Sequence, residues 1–586
     1  MLGTTIDLGD ALAPPKRQKT ALSLDPAMRP IAETATPTLL KNALLPTDDG
    51  GYARNDVLLA DGKIAKVATP NTIGAAAVTI DCTERLLLPG FVNAHTHSIE
   101  HWARGLIKPL PLELWVQQLI RHEPRGDEGW LGTDSFLGTP SASVGISALH
   151  CGVEALLSGC TAILDHLFIR GLDDLGEAVK AYKSLGIRAF IAPMLNDDAA
   201  MYENYLPLAP DAAKRNARGK STKRPCCAMG PDGTFRLKCG HSDPEKTKAM
   251  LQLWEACVDK YHDPEGGVEI VIGPVTAYSA SVELLRGAAE LRKRRNLCGH
   301  THLLETRAQA LMAKQSLPSG SAVKHLHDAG FLDKSLRGSS CAHTVWLDEE
   351  EVALMASSGS VCVHNPLSNL RLGSGVMPVQ RYADAGVSVA MGCDGACSSD
   401  GQDMLEAIKL ASSLPCIITP EYRDWPRHRH AALALAAKNG YEAIGMRGEG
   451  GGLSEGMVAD VSLWDLTSLS LLPRTDPIAL LVLGSRTQAK SAGSALNSCW
   501  VRGRQVVCDG EPCGVDLAAL RTLLSSAQPN YRDQEITDPS TDAMTAASEV
   551  EYRAAMGLDL AGQQAPTPPS LGTFPQGRVL YDSTIP

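Results

Sequence analysis

Residues 88–97 read Leu88-Pro89-Gly90-Phe91-Val92-Asn93-Ala94-His95-Thr96-His97. An apolar run passes through a Pro-Gly pair into a second short apolar stretch, which ends in two histidines. On an extended strand, residues two apart point to the same side, so His95 and His97 present both imidazoles to one point. Paired imidazoles at a strand end suit a divalent transition metal, zinc first. A pair of histidines alone is as compatible with ordinary core or surface positions. The remaining ligands must come from elsewhere in the chain.

Strand-like runs followed by helix-like stretches recur along the sequence. The candidate strands are Phe91–His97, Thr161–His166, Arg188–Pro193, Val268–Pro274, Leu297–Leu303, Ser340–Trp346, Ser360–His364 and Val387–Cys393. Segments of helical spacing such as Ser281–Arg295 and Asp348–Ser357 lie between them. Eight strands alternating with helices is the count of an α/β protein of the (β/α)8 TIM-barrel type, whose sites sit at the strand C-terminal ends. Residues 37–88 and 453–510 are β-rich and are expected to pair into a small β-sandwich built from both ends of the chain. The Asp61-Gly62-Lys63 turn marks a hairpin there. The barrel is expected over 89–452, with 196–264 as an insertion rich in Lys, Arg, Gly and Pro that covers the site. Residues 1–36 and most of the 511–586 extension read as disordered tails.

Composition narrows the class. The chain has 586 residues, 44% hydrophobic and 21% charged, as in ordinary soluble globular proteins. A formal net charge of −11 argues against a nucleic-acid partner. No apolar run reaches about 18 residues, which predicts no membrane helix. The basic cluster Lys16-Arg17-Gln18-Lys19 reads as a solvated charge run. Sixteen scattered cysteines, several inside apolar strands, fit free thiols in a reducing cytoplasm. Cys226, Cys227, Cys239 and His241 lie close together in the insertion, but the adjacent Cys226-Cys227 pair suits tetrahedral zinc poorly.

Strand five reads Cys298-Gly299-His300-Thr301-His302-Leu303-Leu304-Glu305-Thr306. His300 and His302 share a face; His302, nearer the C-terminal end, is assigned as third ligand, with His300 one layer deeper. Glu305 lies just past the strand end, within reach of water at the metal. Strand eight ends Met391-Gly392-Cys393-Asp394-Gly395, which brings Asp394 to the barrel mouth as fourth ligand and leaves one position open for water. His343, at the end of strand six, reads either as a fifth ligand or as a hydrogen-bonding group for water and substrate. The polar turn His364–Gly373 forms site wall.

Ligand-type residues at the ends of strands one, five, six and eight resemble the amidohydrolase superfamily. The resembling segments are Pro89–His97, His302–Thr306, His364–Leu370 and Asp394–Ala396, within a likeness that spans about residues 38–510. They are most similar to the mononuclear branch of metal-dependent deaminases and chlorohydrolases, which includes S-adenosylhomocysteine, guanine and 8-oxoguanine deaminases and triazine hydrolases. The resemblance implies one metal, zinc with iron as the alternative, because strand four (Val268–Pro274) has no lysine to bridge a second. It implies that Asp394 and Glu305 take up the protons of an activated water. Glu305 then protonates the leaving nitrogen, and His343 hydrogen-bonds the water or the tetrahedral centre. The implied activity is hydrolytic deamination of an aminated heterocycle. A chlorohydrolase or cyclic-amide hydrolase is the alternative, and a catalytically silent scaffold is a remoter one. Adenosyl-type deaminases generally have a histidine where Val275 stands, and a valine cannot make that hydrogen bond to a purine. Trp102 and Trp115 offer aromatic surface near the mouth, with core packing the likelier role for each. A small heterocycle is the expected partner, and the oligomeric state is left open.

Overall fold

A computed structural model describes residues 23–527 except 33, 106, 108, 120–140, 198–226, 230–234, 238–243, 419–420, 426–428 and 485–494, together with residues 549 and 552. The side chains of Cys226, Cys227, Cys239 and His241 lie outside the described residues.

The N-terminal segment supplies β1 (Thr38–Pro46), β2 (Tyr52–Ala60), β3 (Lys63–Ala68), β4 (Val78–Asp81) and β5 (Arg85–Pro89). β2 and β3 form the expected hairpin; Asp61 and Gly62 both adopt positive φ (50° and 74°), as a type I′ turn requires. Then come β6 (Phe91–Thr96), β7 (Cys160–Leu167), β8 (Arg188–Leu195) and a separate hairpin of β9 (Cys227–Met229) with β10 (Phe235–Leu237). These are followed by β11 (Val268–Ile270), β12 (Gly273–Pro274), β13 (Gly299–Leu303), β14 (Ser339–His343), β15 (Val361–His364) and β16 (Ser388–Met391). β17 (Val461–Asp465), β18 (Leu496–Val501), β19 (Arg504–Cys508) and β20 (Glu511–Pro512) complete the strands among the described residues.

All eight expected strand positions are strands, and their ladders are parallel. The ladders fall into two sheets, β11-β8-β7-β6 with β12 on β8, and β13-β14-β15-β16, rather than one unbroken ring. The fourth strand is split, because the chain changes partners there. The Val271 N–H still donates to the Ile191 carbonyl, but the Ile272 N–H donates across to the Cys298 carbonyl. Isolated parallel bridges, Ile272 to Gly299 and Thr276 to His302, link the two sheets on that side. On the other side the Asp394 N–H donates to the His95 carbonyl at 2.9 Å. Every residue of β7 and β8 is buried, which explains their near-continuous apolar sequence: helices cover the outside of a parallel sheet. The helix Val282–Arg295 is N-capped by Ser281, and Glu349–Ser358 opens with an Asp348/Glu351 capping box and ends on left-handed Gly359.

The two flanking β segments do join. β17 runs antiparallel to β5, with Val461 opposite Pro89 and Asp465 opposite Arg85. Hydrogen bonding makes them one mixed nine-stranded sheet built from both ends of the chain. Structure also reaches into both stretches read as tails. Leu24 is buried, Arg29 pairs with Asp516 at 2.7 Å, and Leu517–Ala527 is helical.

Buried Asp460 ties this sheet to the parallel strands. Its carboxylate accepts from Arg188 of β8 (3.0 Å), the Tyr441 hydroxyl (2.6 Å) and the Arg502 N–H (2.6 Å). Removing one partner of a buried pair leaves the other charge uncompensated. Asp460→Ala is therefore expected to destabilise the fold by about 3–5 kcal/mol, read as a lowered denaturation midpoint; a loss under about 1 kcal/mol would mean the pair is solvated.

Candidate metal centre and active site

The ends of β6, β13 and β14 and the turn after β16 meet. His97 Nε2 and His302 Nε2 lie 3.0 Å apart. Asp394 Oδ1 is 3.4 Å from His95 Nε2 and 3.5 Å from His97 Nε2. Four donors about 2.1 Å from a common centre would be about 3.4 Å apart in a tetrahedron, so these separations match a ligand set. The tautomers agree with it. The His97 Nδ1–H donates to the His166 carbonyl (2.6 Å) and the His302 Nδ1–H to the Val275 carbonyl (2.7 Å), which turns both Nε2 atoms inward. His95 Nε2 is buried with no hydrogen-bond partner. A buried polar atom left this way is costly unless something binds it.

Backbone geometry aims the groups. Asp394 holds a left-handed φ of 62° and His343 one of 71°, a strain that clusters at functional sites. Gly395 is required beside Asp394, because a Cβ there would sit 1.7 Å from Glu100 Oε2. The turn is stitched to β6. The Cys393 N–H donates to Asn93 Oδ1, and Gln402 Nε2 donates to the Asp394 carbonyl.

Glu305 and His343 stand over the same point. His343 Nε2 is 3.5 Å from Glu305 Oε2 and 3.6 Å from Asp394 Oδ2. His343 Nδ1 lies 3.0 Å from Asn369 Oδ1 and 3.4 Å from Asn365 Nδ2, which fix the ring with Nε2 toward the two carboxyls. The Ser374 hydroxyl donates to Glu305 Oε1 at 3.1 Å, and the Glu305 N–H donates to Gln309 Oε1. Burial first, then the charges of Asp394 and Glu113, push the Glu305 carboxyl well above its usual range. Burial would raise Asp394 too, but the close approach of His95 and the neighbouring imidazoles hold it well below. Two carboxyls with opposed shifts beside one another are the arrangement of an acid–base pair. Burial, with the charges of His97 and His343, takes His302 down to about 3, so its imidazole is neutral and able to donate a lone pair.

The structure thus brings together His95, His97, His302, Glu305, His343 and Asp394. It sets His300 one layer below, against His95. The turn after β15 enters as positioning wall through Asn369 and Ser374. Trp102 is buried with its indole N–H on the Ser143 carbonyl, which is core packing, and Trp115 is buried as well. Sequence reasoning missed two groups. His166, at the end of β7, holds His97 through its backbone carbonyl, and its ring lies 4.8 Å from that of His302. Buried Glu100, lifted to about 7 chiefly by burial, lies 3.1 Å from Cys397 Sγ. The position of His166 at a strand end was a usable signal; nothing local marks Glu100.

A model of the amidohydrolase family matches residues 86–506. The chain belongs to the amidohydrolase family. Among its relatives is the 5-methylthioadenosine/S-adenosylhomocysteine deaminase of Pyrococcus furiosus. The two are 30% identical over 81% of this chain and 96% of the relative. The 5'-deoxyadenosine deaminase of Methanothermobacter thermautotrophicus is 27% identical over 79% and 92%. Among solved structures, the zinc complex of an Arthrobacter aurescens atrazine chlorohydrolase superposes with a TM-score of 0.67. It covers 84% of this chain and all of the other, at 22% identity. This amidohydrolase is a metal-dependent hydrolase of carbon–nitrogen bonds outside peptides, of the hydrolytic deaminase kind. Among its described residues no helix is long and apolar enough to cross a membrane.

Proposed function

We propose that His95, His97, His302 and Asp394 hold one zinc ion and that the site deaminates an aminated heterocycle, with the fold closing as an eight-stranded barrel over residues 89–452. The observation that carries this reading is that His95 Nε2 and His97 Nε2 lie 3.4 and 3.5 Å from Asp394 Oδ1 while His302 Nε2 lies 3.0 Å from His97 Nε2. A zinc ion there acts as a Lewis acid that makes water a nucleophile at neutral pH.

The chain's own groups do the proton work. Asp394, held ionised, accepts a proton from the attacking water through Oδ2. Glu305 hands a proton to the departing nitrogen, which leaves as ammonia, and Ser374 holds the other oxygen of its carboxyl in place. His343 Nε2 hydrogen-bonds the attacking water or the tetrahedral centre, its ring oriented by Asn369. Iron is the alternative metal. The thirteen cysteines with described side chains are free thiols, which supports a cytoplasmic setting.

The names of the relatives describe deaminases of adenosine derivatives, yet Val275 is buried and apolar and offers a purine ring no side-chain hydrogen bond. The ring class recognised is therefore expected to differ from adenosine. Ammonia release across purines, aminopyrimidines and aminotriazines tests the reading. At least one amino-heterocycle should turn over with stoichiometric ammonia. Chloride release from a chlorotriazine with no ammonia from any substrate would favour the chlorohydrolase alternative.

A further inference from the structure

Resting on the zinc reading above, we infer that His300 is a positioning residue that locks His95 in its ligating tautomer through a hydrogen-bonded wire ending at Ser340. A ligating imidazole must keep a lone pair on the nitrogen that faces the metal and dispose of the proton on its other nitrogen, and partners of that second nitrogen tune affinity. For two of the three histidines the partner is backbone: His97 Nδ1–H on the His166 carbonyl and His302 Nδ1–H on the Val275 carbonyl. His95 differs. Its Nδ1 faces a side chain, His300 Nε2, at 2.8 Å.

A single proton fits between those nitrogens. With the Nε2 lone pair of His95 given to the metal, the ring's proton sits on Nδ1 and is donated to His300 Nε2, 2.8 Å away. His300 therefore carries its own proton on Nδ1, where the Ser340 hydroxyl lies 2.8 Å away and accepts it. His95, His300 and Ser340 are all buried, so no solvent competes for these bonds. The wire runs from the end of β6 through β13 to β14, and the parallel pairing of His300 with Ser340 fixes its register. Both partners belong to the sheet itself, which gives the His95 ring a rigid support.

His95, His166 and His300 could instead hold a second ion among themselves. The 2.8 Å separation of His95 Nδ1 and His300 Nε2 is that of a hydrogen bond, which leaves His166 Nδ1, buried and without a partner, outside the wire.

The test is zinc affinity of the full-length protein, measured by chelator competition, beside the thermal midpoint of the metal-free protein and the visible spectrum of the cobalt form. His300→Leu keeps bulk and removes the acceptor. It is expected to weaken zinc binding about 10–100-fold and to alter the cobalt spectrum. Gln places an oxygen where Nε2 stands and Asn where Nδ1 stands, so affinity should follow Gln above Asn even if the Leu variant does not fold. Equal affinities for Gln and Asn, or wild-type affinity in His300→Leu, would overturn the inference. Two zinc ions in the wild type with one lost in the variant would also overturn it, making His300 a ligand. A wild-type protein that takes up no zinc fails the metal reading itself, and this inference with it; normal zinc uptake with an indifferent His300 fails only the positioning role.

Discussion

Glu305→Gln lowers kcat by about 10²–10⁴-fold while zinc content and the thermal midpoint stay at wild-type values. Gln fills the same volume and can still accept from the Ser374 hydroxyl, so the wall of the site is preserved. What it cannot do is hold and release a proton. The large effect is expected because Glu305 is buried and its carboxyl is raised well above the ordinary range, which suits a group that must give a proton to a leaving nitrogen at neutral pH. The measurement is steady-state ammonia release with metal analysis on the same preparation. Turnover within about tenfold of wild type would remove Glu305 from the shuttle, since such groups contribute about 100-fold or more.

Stripping the metal with a chelator abolishes turnover, and added zinc restores it. His95 and His302, as neutral imidazoles, and ionised Asp394 need lose no proton to bind a divalent cation. At His97 burial is outweighed by the charges of Glu100 and Asp394, which raise it, so this imidazole gives up its proton on binding. The same binding stabilises the fold by mass action, about 4 kcal/mol when free zinc is 1,000 times its Kd. The metal-free protein should accordingly melt at a lower temperature. Asp394→Asn should behave like the stripped protein even in excess zinc, because it loses both a ligand and the base. Full activity after exhaustive chelation, with under about 0.2 zinc equivalents remaining, would sink the assignment, which rests on His95, His97, His302 and Asp394 lying together at one point.

Much of the architecture was legible because it is written locally. Apolar runs such as Ala162-Ile163-Leu164 mark strands covered on both faces, and capping residues such as Ser281 and Asp348 mark helix starts. The Pro-Gly-led run to His95 and His97, the end of strand five and the Asp-Gly after strand eight declared donors at strand ends. The split of the fourth strand was not legible. It arises where Val271 and Ile272 hydrogen-bond to different neighbours, and no residue type announces a change of partner. The flanking sheet was legible as β-rich segments, but its single nine-stranded order depends on β17 finding β5 across more than the whole barrel.

The sequence by itself determined the donor types, their places at strand ends and the side of each strand they share, because strand alternation has a period of two. That same period leaves His300 and His302 on one face of their strand. Position along the strand points to His302 as the ligand, and pairing between strands decides their partners: it seats His302 beside His97 and His300 against His95. The proton-handling roles likewise came from folding. Glu305 is raised by burial beside Asp394 and Glu113, and His343 is oriented by Asn369, none of which a short stretch of chain can encode. Chemical identity is a property of residues, whereas tautomer, charge state and depth are properties of the surroundings that the fold brings to them.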